Sequence, residues 1–402
     1  MAHIRLDVVL LFSARSVRLF AYGALSVVLA LYLHEIGLTG PEIGLLFTFT
    51  LAGDAGISLW ITTTADRIGR KKMLILGAGL MIMAGVVFSL TGNLALLIIA
   101  AVIGVLSPSG NEIGPFLSLE QAALSQLLSA EQRTRAFAWY NLAGSLAAAS
   151  GALAGGFLSK GLMQTGFSEL ASYKAIIIGY AACGFVLAGI FYFLSPEIEA
   201  LEMVPAQKRV LGLHKSKNVV FKLSGLFALD AFAGGFVIQS MVAYWFHIRF
   251  GVDAGTLGSI FFGANILAGV SSLLAIKIAS RIGLINTMVF THIPSNVLLC
   301  LVPLTPNLSL AIFVLLLRFS ISQMDVPTRQ SYTMAVVAPD ERSAASGVTS
   351  IARSIGAAIS PALSGVFLAS PVLLSAPFFV AGGLKIIYDL LLYRSFEKSE
   401  MG

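Results

Sequence analysis

The chain has 402 residues, of which 57% are hydrophobic and only 11% charged. A soluble globular protein carries about 25% charged residues, so a water-facing surface cannot be built here, and a soluble enzyme, a disordered chain and a fibre are excluded. An integral membrane protein remains, in which a net charge of +6 reads as basic loops at a membrane surface, with no nucleic-acid partner.

The apolar runs are continuous, as in Leu94–Leu106 and Leu308–Leu317, which predicts helices; β-barrel strands would alternate apolar and polar residues. At roughly 20 residues per membrane helix, the length holds twelve. In chain order the spans are predicted at 8–34, 42–64, 73–90, 94–116, 136–158, 173–194, 222–246, 256–278, 284–304, 308–328, 345–369 and 374–393. Turn and charge clusters separate them: Gly37–Pro41, Gly69–Lys72, Thr91–Asn93, Pro196–Lys217, Thr305–Asn307 and Pro339–Arg342. The first span begins near Asp7 with no cleavable signal pattern and is expected to stay in the membrane. Ser195–Val220, the longest polar stretch, opens acidic (Glu197, Glu199, Glu202) and closes basic (Lys208, Arg209, Lys215, Lys217). It predicts a linker over 195–221 between an N-terminal six-helix bundle, 1–194, and a C-terminal one, 222–402. Cys183 and Cys300 both sit in apolar runs and read as free thiols, with no metal site or cofactor indicated.

Lys and Arg accumulate on one side. With the N-terminus inside, seventeen fall in cytoplasmic segments, among them Arg67, Arg70, Lys71, Lys72, Arg133 and Arg342, against Lys160, Lys174 and Arg249 outside. The bias places both termini in the cytoplasm of a cell whose inner (plasma) membrane is crossed many times.

The halves repeat. Ser129-Ala-Glu-Gln-Arg133 and Ala338-Pro-Asp-Glu-Arg342 each lead into a Gly/Ala/Ser-rich span, and Glu131/Asp340, Gln121/Gln330 and Gly156/Gly365 share a spacing of 209. Ala65-Asp-Arg-Ile-Gly69 matches Ala279-Ser-Arg-Ile-Gly283 at 214. Duplicated bundles of this kind are a layout of alternating-access transporters.

Ala65-Asp66-Arg67-Ile68-Gly69-Arg70-Lys71-Lys72, between spans two and three, resembles the G-x-x-x-D-R-x-G-R-[RK] loop motif of the major facilitator superfamily, with Thr62 where that motif begins with Gly. Span five, Gly144 to Gly156, resembles the family's antiporter motif, with Ala152 where Pro is expected; span eleven keeps that proline as Pro361. Arg318 in span ten resembles the family's mid-helix arginine, and Ser109 stands at the matching place of span four, beside Asn111 and Glu112. The resemblance covers the whole chain. It implies an all-α membrane protein of twelve helices in two pseudo-symmetric bundles, a gate at Asp66, Arg67, Gly69 and Arg70, and a substrate path lined by spans one, four, seven and ten.

Ionisable residues in spans are costly and usually face a cavity or a partner. Here they are Arg15, Arg18, Asp54, Glu112, Asp230, Arg318, Asp325, Arg353, Lys385 and Asp389, with Glu120 and Arg329 just past the inner ends of spans four and ten. Arg15, Arg18, Tyr22, Asp230, Gln239 and Asp325 are the candidate cavity residues; the alternative is structural pairing, Arg15 or Arg18 with Glu112, and Asp230 or Asp325 with Arg318. Asp54, with no basic neighbour in sequence, is the candidate proton site, joined by Glu112 and Arg318; the alternative is a carboxylate paired with Arg18 or another cation. Lys385 and Asp389 are spaced to pair at i,i+4. Phe20, Phe232, Phe236 and Tyr244 could touch an apolar ligand, and Trp139 and Trp245 suit an interfacial belt.

A membrane enzyme would need a nucleophile, metal set or acid–base pair, whereas the five histidines are scattered and no Gly-x-Ser-x-Gly is present. An ATP-driven pump would need a phosphate-binding loop, which is missing from the sequence. The sequence therefore predicts a monomeric, proton-coupled secondary transporter exporting a small organic or amphipathic compound; uptake of a polar or anionic solute is the alternative, from Arg15, Arg18 and Arg318.

Overall fold

A backbone in lipid has no water to bond, so each apolar run must satisfy its own amides and carbonyls, and helices result. The computed structural model describes residues 2–112, 114–199, 213–338 and 341–400, with the side chains of 2–5, 66, 130, 131, 134, 343 and 397–400 outside that description. The helices are α1 (Ala2–Glu35), α2 (Gly40–Ile68), α3 (Arg70–Leu90), α4 (Leu94–Ile103), α5 (Phe116–Leu127), α6 (Ala130–Gln164), α7 (Glu169–Tyr192), α8 (Lys217–Gly235), α9 (Gln239–Phe250), α10 (Ala254–Ile282), α11 (Leu284–Leu301), α12 (Leu308–Phe319), α13 (Asp325–Ala335), α14 (Arg342–Leu368) and α15 (Ala376–Glu400). Among the described residues there is no strand.

Among the described residues, ten helical stretches are long and apolar enough to cross a membrane, α8 and α9 forming one of them; α4 and α12 are shorter apolar helices. All twelve predicted spans thus contain a helix. Three are interrupted where the sequence predicted continuity: span four between α4 and α5, span seven between α8 and α9, and span ten between α12 and α13. In span four the break follows from Pro108 and Pro115, which cannot donate to a helix, and from Gly110 and Gly114, whose φ of 69° and 82° only glycine adopts freely. Its freed carbonyls find partners: Tyr180 Oη donates to Val105 O and Ser107 Oγ to Asn111 O at 2.8 Å.

The chain divides into two compact units. The first comprises Met1–Pro205 with Val242–Phe262, the second Ala206–Met241 with Gly263–Gly402. Within the first, α1 packs on α6 without side chains between them: a Cβ added at Gly23 would lie 2.0 Å from Ala148 O, and one at Gly151 2.0 Å from Phe20 O. Within the second, α8 packs on α14 the same way, with Gly235 against Ala357 O at 2.6 Å. Such glycine contacts let helix backbones approach closely. They also fix the register of the repeat. Gly23 and Gly235 differ by 212, Ala148 and Ala357 by 209. Elsewhere Asn93 and Asn307 both accept from the amide three residues on, and Gly69 and Gly283 both hold positive φ, each pair 214 apart.

Within the first unit, Gly156 also meets Gly258, whose Cα lies 2.9 Å from an added Cβ, and Lys160 Nζ pairs with Asp253 Oδ2 at 2.9 Å.

Candidate functional site

Each unit encloses one cluster of buried charge. In the first, Arg18 is fully buried and its guanidinium forks onto two carboxylates: both Nη atoms donate to Glu120 at 2.7 Å, and Nε donates to Glu112 Oε1 at 2.8 Å. Arg15, one turn earlier on α1, donates to Glu112 Oε2 at 2.9 Å and to Asn141 Oδ1 at 3.3 Å. Tyr140 Oη on α6 donates to Glu120. Arg15 lies 4.3 Å over the Tyr140 ring and Arg18 4.6 Å over Phe116. Unwinding of span four is what brings Glu112 to both arginines while α5 presents Glu120. Two cations meet two carboxylates, and their mutual attraction, the planar fork geometry of arginine and the tyrosine hydroxyl together oppose the cost of desolvation.

Asp54 stands beside this cluster. It lies on α2, where Gly53 packs so closely on α4 that an added Cβ would be 2.3 Å from Val102 O. Ser58 Oγ donates to its carboxylate at 3.3 Å, and the amide of Gly114 faces it from the unwound segment. Among the described residues no cation lies within ion-pair distance of Asp54; Arg18, its alternative partner, is taken by the two glutamates. Tyr22 is fully buried and stacks on Tyr180 at 6.3 Å, away from any solvent-facing surface.

In the second unit the centre is a carboxylate. Asp230 on α8 receives Lys385 Nζ at 2.5 Å from α15, Arg329 Nη1 at 3.1 Å from α13 and Arg353 Nη1 at 3.3 Å from α14. Arg329 also holds Asp325 at 2.9 Å. Applying the glycine register, Arg18 corresponds to Asp230 at 212 and Glu120 to Arg329 at 209. The same two helices therefore carry the same pair with the signs exchanged. The second cation changes helix as well: Arg15 corresponds to Phe227, while Arg353 corresponds to Gly144, over which the Arg15 side chain lies in the first unit, 2.5 Å from an added Cβ.

The structure rearranges several expected partnerships. Arg318 pairs with neither Asp230 nor Asp325; it ends α12 with its guanidinium 5.0 Å over the Phe319 ring, its Nε is buried without a hydrogen-bond partner, and among the described residues no carboxylate is in ion-pair range. Lys385 and Asp389 do not pair with each other, because Asp230 takes the ammonium and Asp389 is held by His292 Nδ1 at 2.8 Å and Asn296 Nδ2 at 3.0 Å. Gln239 opens α9 directly after the break in span seven. Trp245 is fully buried against Phe246 and Phe250, whereas Trp139 is exposed. Sequence reasoning left Glu120 and Arg329 outside the spans; their shared 209 spacing is the signal that could have placed them. For His292 and Asn296 no sequence signal was available.

The loop motif docks within the first unit. Gly69, at φ 114°, makes the turn from α2 to α3. The Glu199 carboxylate caps the start of α3, accepting from Arg70 N at 2.5 Å and Lys71 N at 3.3 Å. The Arg70 side chain donates to Gln126 Oε1 at 3.1 Å and Ile198 O at 3.2 Å. Arg67 is exposed, and the side chain of Asp66 lies outside the described residues. In the second unit Glu341 plays the capping part, accepting from the amides of His214, Lys215 and Ser216 ahead of α8. Burial works to raise its pKa, but the Ser216 hydroxyl and these amides hold it at about 2. Asp340, Lys208 and Arg209 lie outside the described residues.

Comparison with known proteins agrees with this geometry. The sequence profile of the Major Facilitator Superfamily matches residues 11–361. The chain is 30% identical to the uncharacterized membrane protein YJR124C of Saccharomyces cerevisiae, over 96% of this chain and 93% of that one. It is 26% identical to the multidrug efflux protein YfmO of Bacillus subtilis, over 92% and 87%. Among solved structures, a mutant of the nucleoside transporter NupG shares the fold at a TM-score of 0.80 with 13% identity, covering 97% of this chain and all of the other. A bacterial homologue of the lysosomal transporter Spinster does so at 0.71 with 16% identity, covering 97% and 95%. Two six-helix repeats in register, a motif-bearing loop after span two and charge at the heart of each repeat belong together: the chain is a member of the Major Facilitator Superfamily, a secondary membrane transporter.

Proposed function

We propose that this protein is a proton-coupled exporter of small organic or amphipathic compounds, acting as a monomer in the plasma membrane with both termini in the cytoplasm. Asp54 carries the proton, with Glu112 beside it; Arg15, Arg18, Tyr22, Asp230, Gln239 and Asp325 border the substrate path, and the Asp66–Arg70 loop gates it. The observation that carries the reading is the isolation of Asp54. Glu112 and Glu120 each have a cation, and Asp7, at the very start of α1, is held by the amide and hydroxyl of Ser195; Asp54, half-buried in the middle of α2, has only the Ser58 hydroxyl and the Gly114 amide, so its protonation costs no ion pair. A proton-coupling group needs that freedom.

Two further facts support export of apolar-bodied compounds. α1 presents an open face over Val8, Val9, Phe12, Ser13, Ser16 and Val17, apolar but for two hydroxyls. The full-length match to a multidrug efflux protein agrees, as does a shorter match, 33% over 21% of the chain, to the quinolone resistance protein NorA of Staphylococcus aureus. Uptake of an anionic solute is the second reading, favoured by Arg318, a half-buried cation with no ion-pair partner among the described residues. Arg15 and Arg18 no longer favour it, since both are neutralised.

The test uses purified protein in proteoliposomes and the amphipathic cation ethidium. Export predicts ethidium movement against an imposed proton gradient, abolished by a protonophore. A gradient that drives only organic anions, with ethidium unmoved, overturns it.

A further inference from the structure

The seam between α11 and α15 in the second unit is polar where its counterpart is dry. His292 and Asn296 on α11 correspond, at the 214 spacing, to Ala78 and Ile82 on α3. In the first unit those residues close against α7 through Gly184, whose added Cβ would lie 2.7 Å from Ile82 Cγ1 and 3.4 Å from Ala78 O. An apolar seam therefore suffices to hold this pair of helices together. In the second unit the same seam buries an imidazole, an amide and a carboxylate: His292 is 4% exposed, Asn296 and Asp389 fully buried. Buried polar groups of this kind cost desolvation that packing does not require.

Their charges are counted easily. Asp230, Asp325 and Asp389 face Arg329, Arg353 and Lys385, with His292 as the remaining titratable ring. From α15 come Lys385, one turn before Asp389, and Tyr388, whose ring meets His292 edge-on at 6.1 Å; α8 brings Asp230, α13 brings Asp325 and Arg329, α14 brings Arg353, and α12 carries Arg318. Arg329, Arg353 and Lys385 hold Asp230 and Asp325, while Asp389 is held by His292 and Asn296; with His292 neutral these three acids and three bases are equal in number, Arg318 standing outside the ion pairs. Asp389 shares its field with Lys385, and Asp230 feels His292.

We propose that His292 and Asp389 form a second proton-binding site, a positioning pair that sets the charge of the Asp230 cluster through Lys385. In the resting form His292 Nδ1–H donates to ionised Asp389. A proton arriving from water adds to Nε2; the Nδ1–H bond to Asp389 stays, and the pair becomes neutral overall. The neutral pair then no longer offsets the charge of Lys385, whose ammonium stays on Asp230 throughout. The site deepens the proton-coupled reading proposed above, but its existence is measured without any transported compound.

The measurement is solid-state ¹⁵N spectroscopy of lipid-reconstituted protein labelled only at histidine. His292→Asn identifies the resonance; should that variant fail to fold, replacing His3, His34, His214 and His247 isolates it instead. The ring is expected to carry one proton at the alkaline end of the range over which the protein stays folded and two at the acid end. Asp389→Asn is expected to move the midpoint down, because the imidazolium loses its counter-charge. A ring fixed in one state across that range, or a midpoint untouched by Asp389→Asn, overturns the proposal. A failed ethidium assay with a titrating His292 would sink the exporter reading alone.

Discussion

Arg18 and Asp230 occupy one position of the repeat and carry opposite charges. Around them the backbone is the same: glycine-mediated contact of α1 with α6 and of α8 with α14, an asparagine cap at 93 and 307, a positive-φ glycine at 69 and 283. What differs is the chemistry in the middle. The first unit puts two cations on one helix and two carboxylates on an unwound span; the second gathers three cations from three helices onto one carboxylate. Helix packing constrains the backbone to a fraction of an ångström, whereas a buried pair demands only that its signs be complementary. The duplicated scaffold is thus free to hold different charges.

The comparison breaks first at the scaffold. Gly151→Leu and Gly356→Leu each drive a side chain into a carbonyl, 2.0 Å away at Phe20 and 2.3 Å at Ala228. Both are expected to abolish the monodisperse folded protein in size-exclusion chromatography, equally in the two units. A well-folded variant of either would mean that the seams are not equivalent.

Charge removal comes next. Asp230→Asn leaves three cations around one lost carboxylate, and Arg18→Gln leaves Glu120 without a cation. Each is expected to cost about 3–5 kcal/mol, the scale for breaking a buried pair, read as a fall in melting temperature. Replacing Asn141 by Ala, which removes one neutral acceptor from Arg15, should cost only about 1 kcal/mol. Equal losses for Arg18→Gln and Asn141→Ala would contradict the ranking of the cluster.

Glu341 gives the smallest and most pH-specific effect. Its pKa is depressed to about 2, so its capping contribution is complete above the ordinary carboxylate value and fades as pH falls towards 2. Glu341→Gln should therefore lower the melting temperature by a constant amount between about pH 5 and pH 8, and the gap should narrow only in acid. A gap that closes near neutrality would contradict the carboxylate as the capping group.

The fold was legible because membrane helices announce themselves as long apolar runs, and the repeat because Arg133/Arg342 and Gly69/Gly283 recur at steady spacing. The breaks were harder. Pro108, Gly110, Gly114 and Pro115 signalled the one in span four, but Phe319–Gln323, where span ten breaks, holds two serines and neither proline nor glycine. Pair identities were the least legible. Spacing along α15 favoured Lys385 with Asp389, yet a carboxylate from another helix won the ammonium, and an unmarked histidine took the aspartate. Sequence shows which charges are buried, while only the packed helices show which are neutralised.

Asp54 is the exception that this accounting leaves, and neutralising it is the most direct test of the account. In proteoliposomes, Asp54→Asn is expected to retain ethidium exchange between two equal pools while losing all transport driven by a proton gradient. The same variant pumping ethidium against its gradient at the wild-type rate and pH dependence would contradict the claim that Asp54 couples the proton.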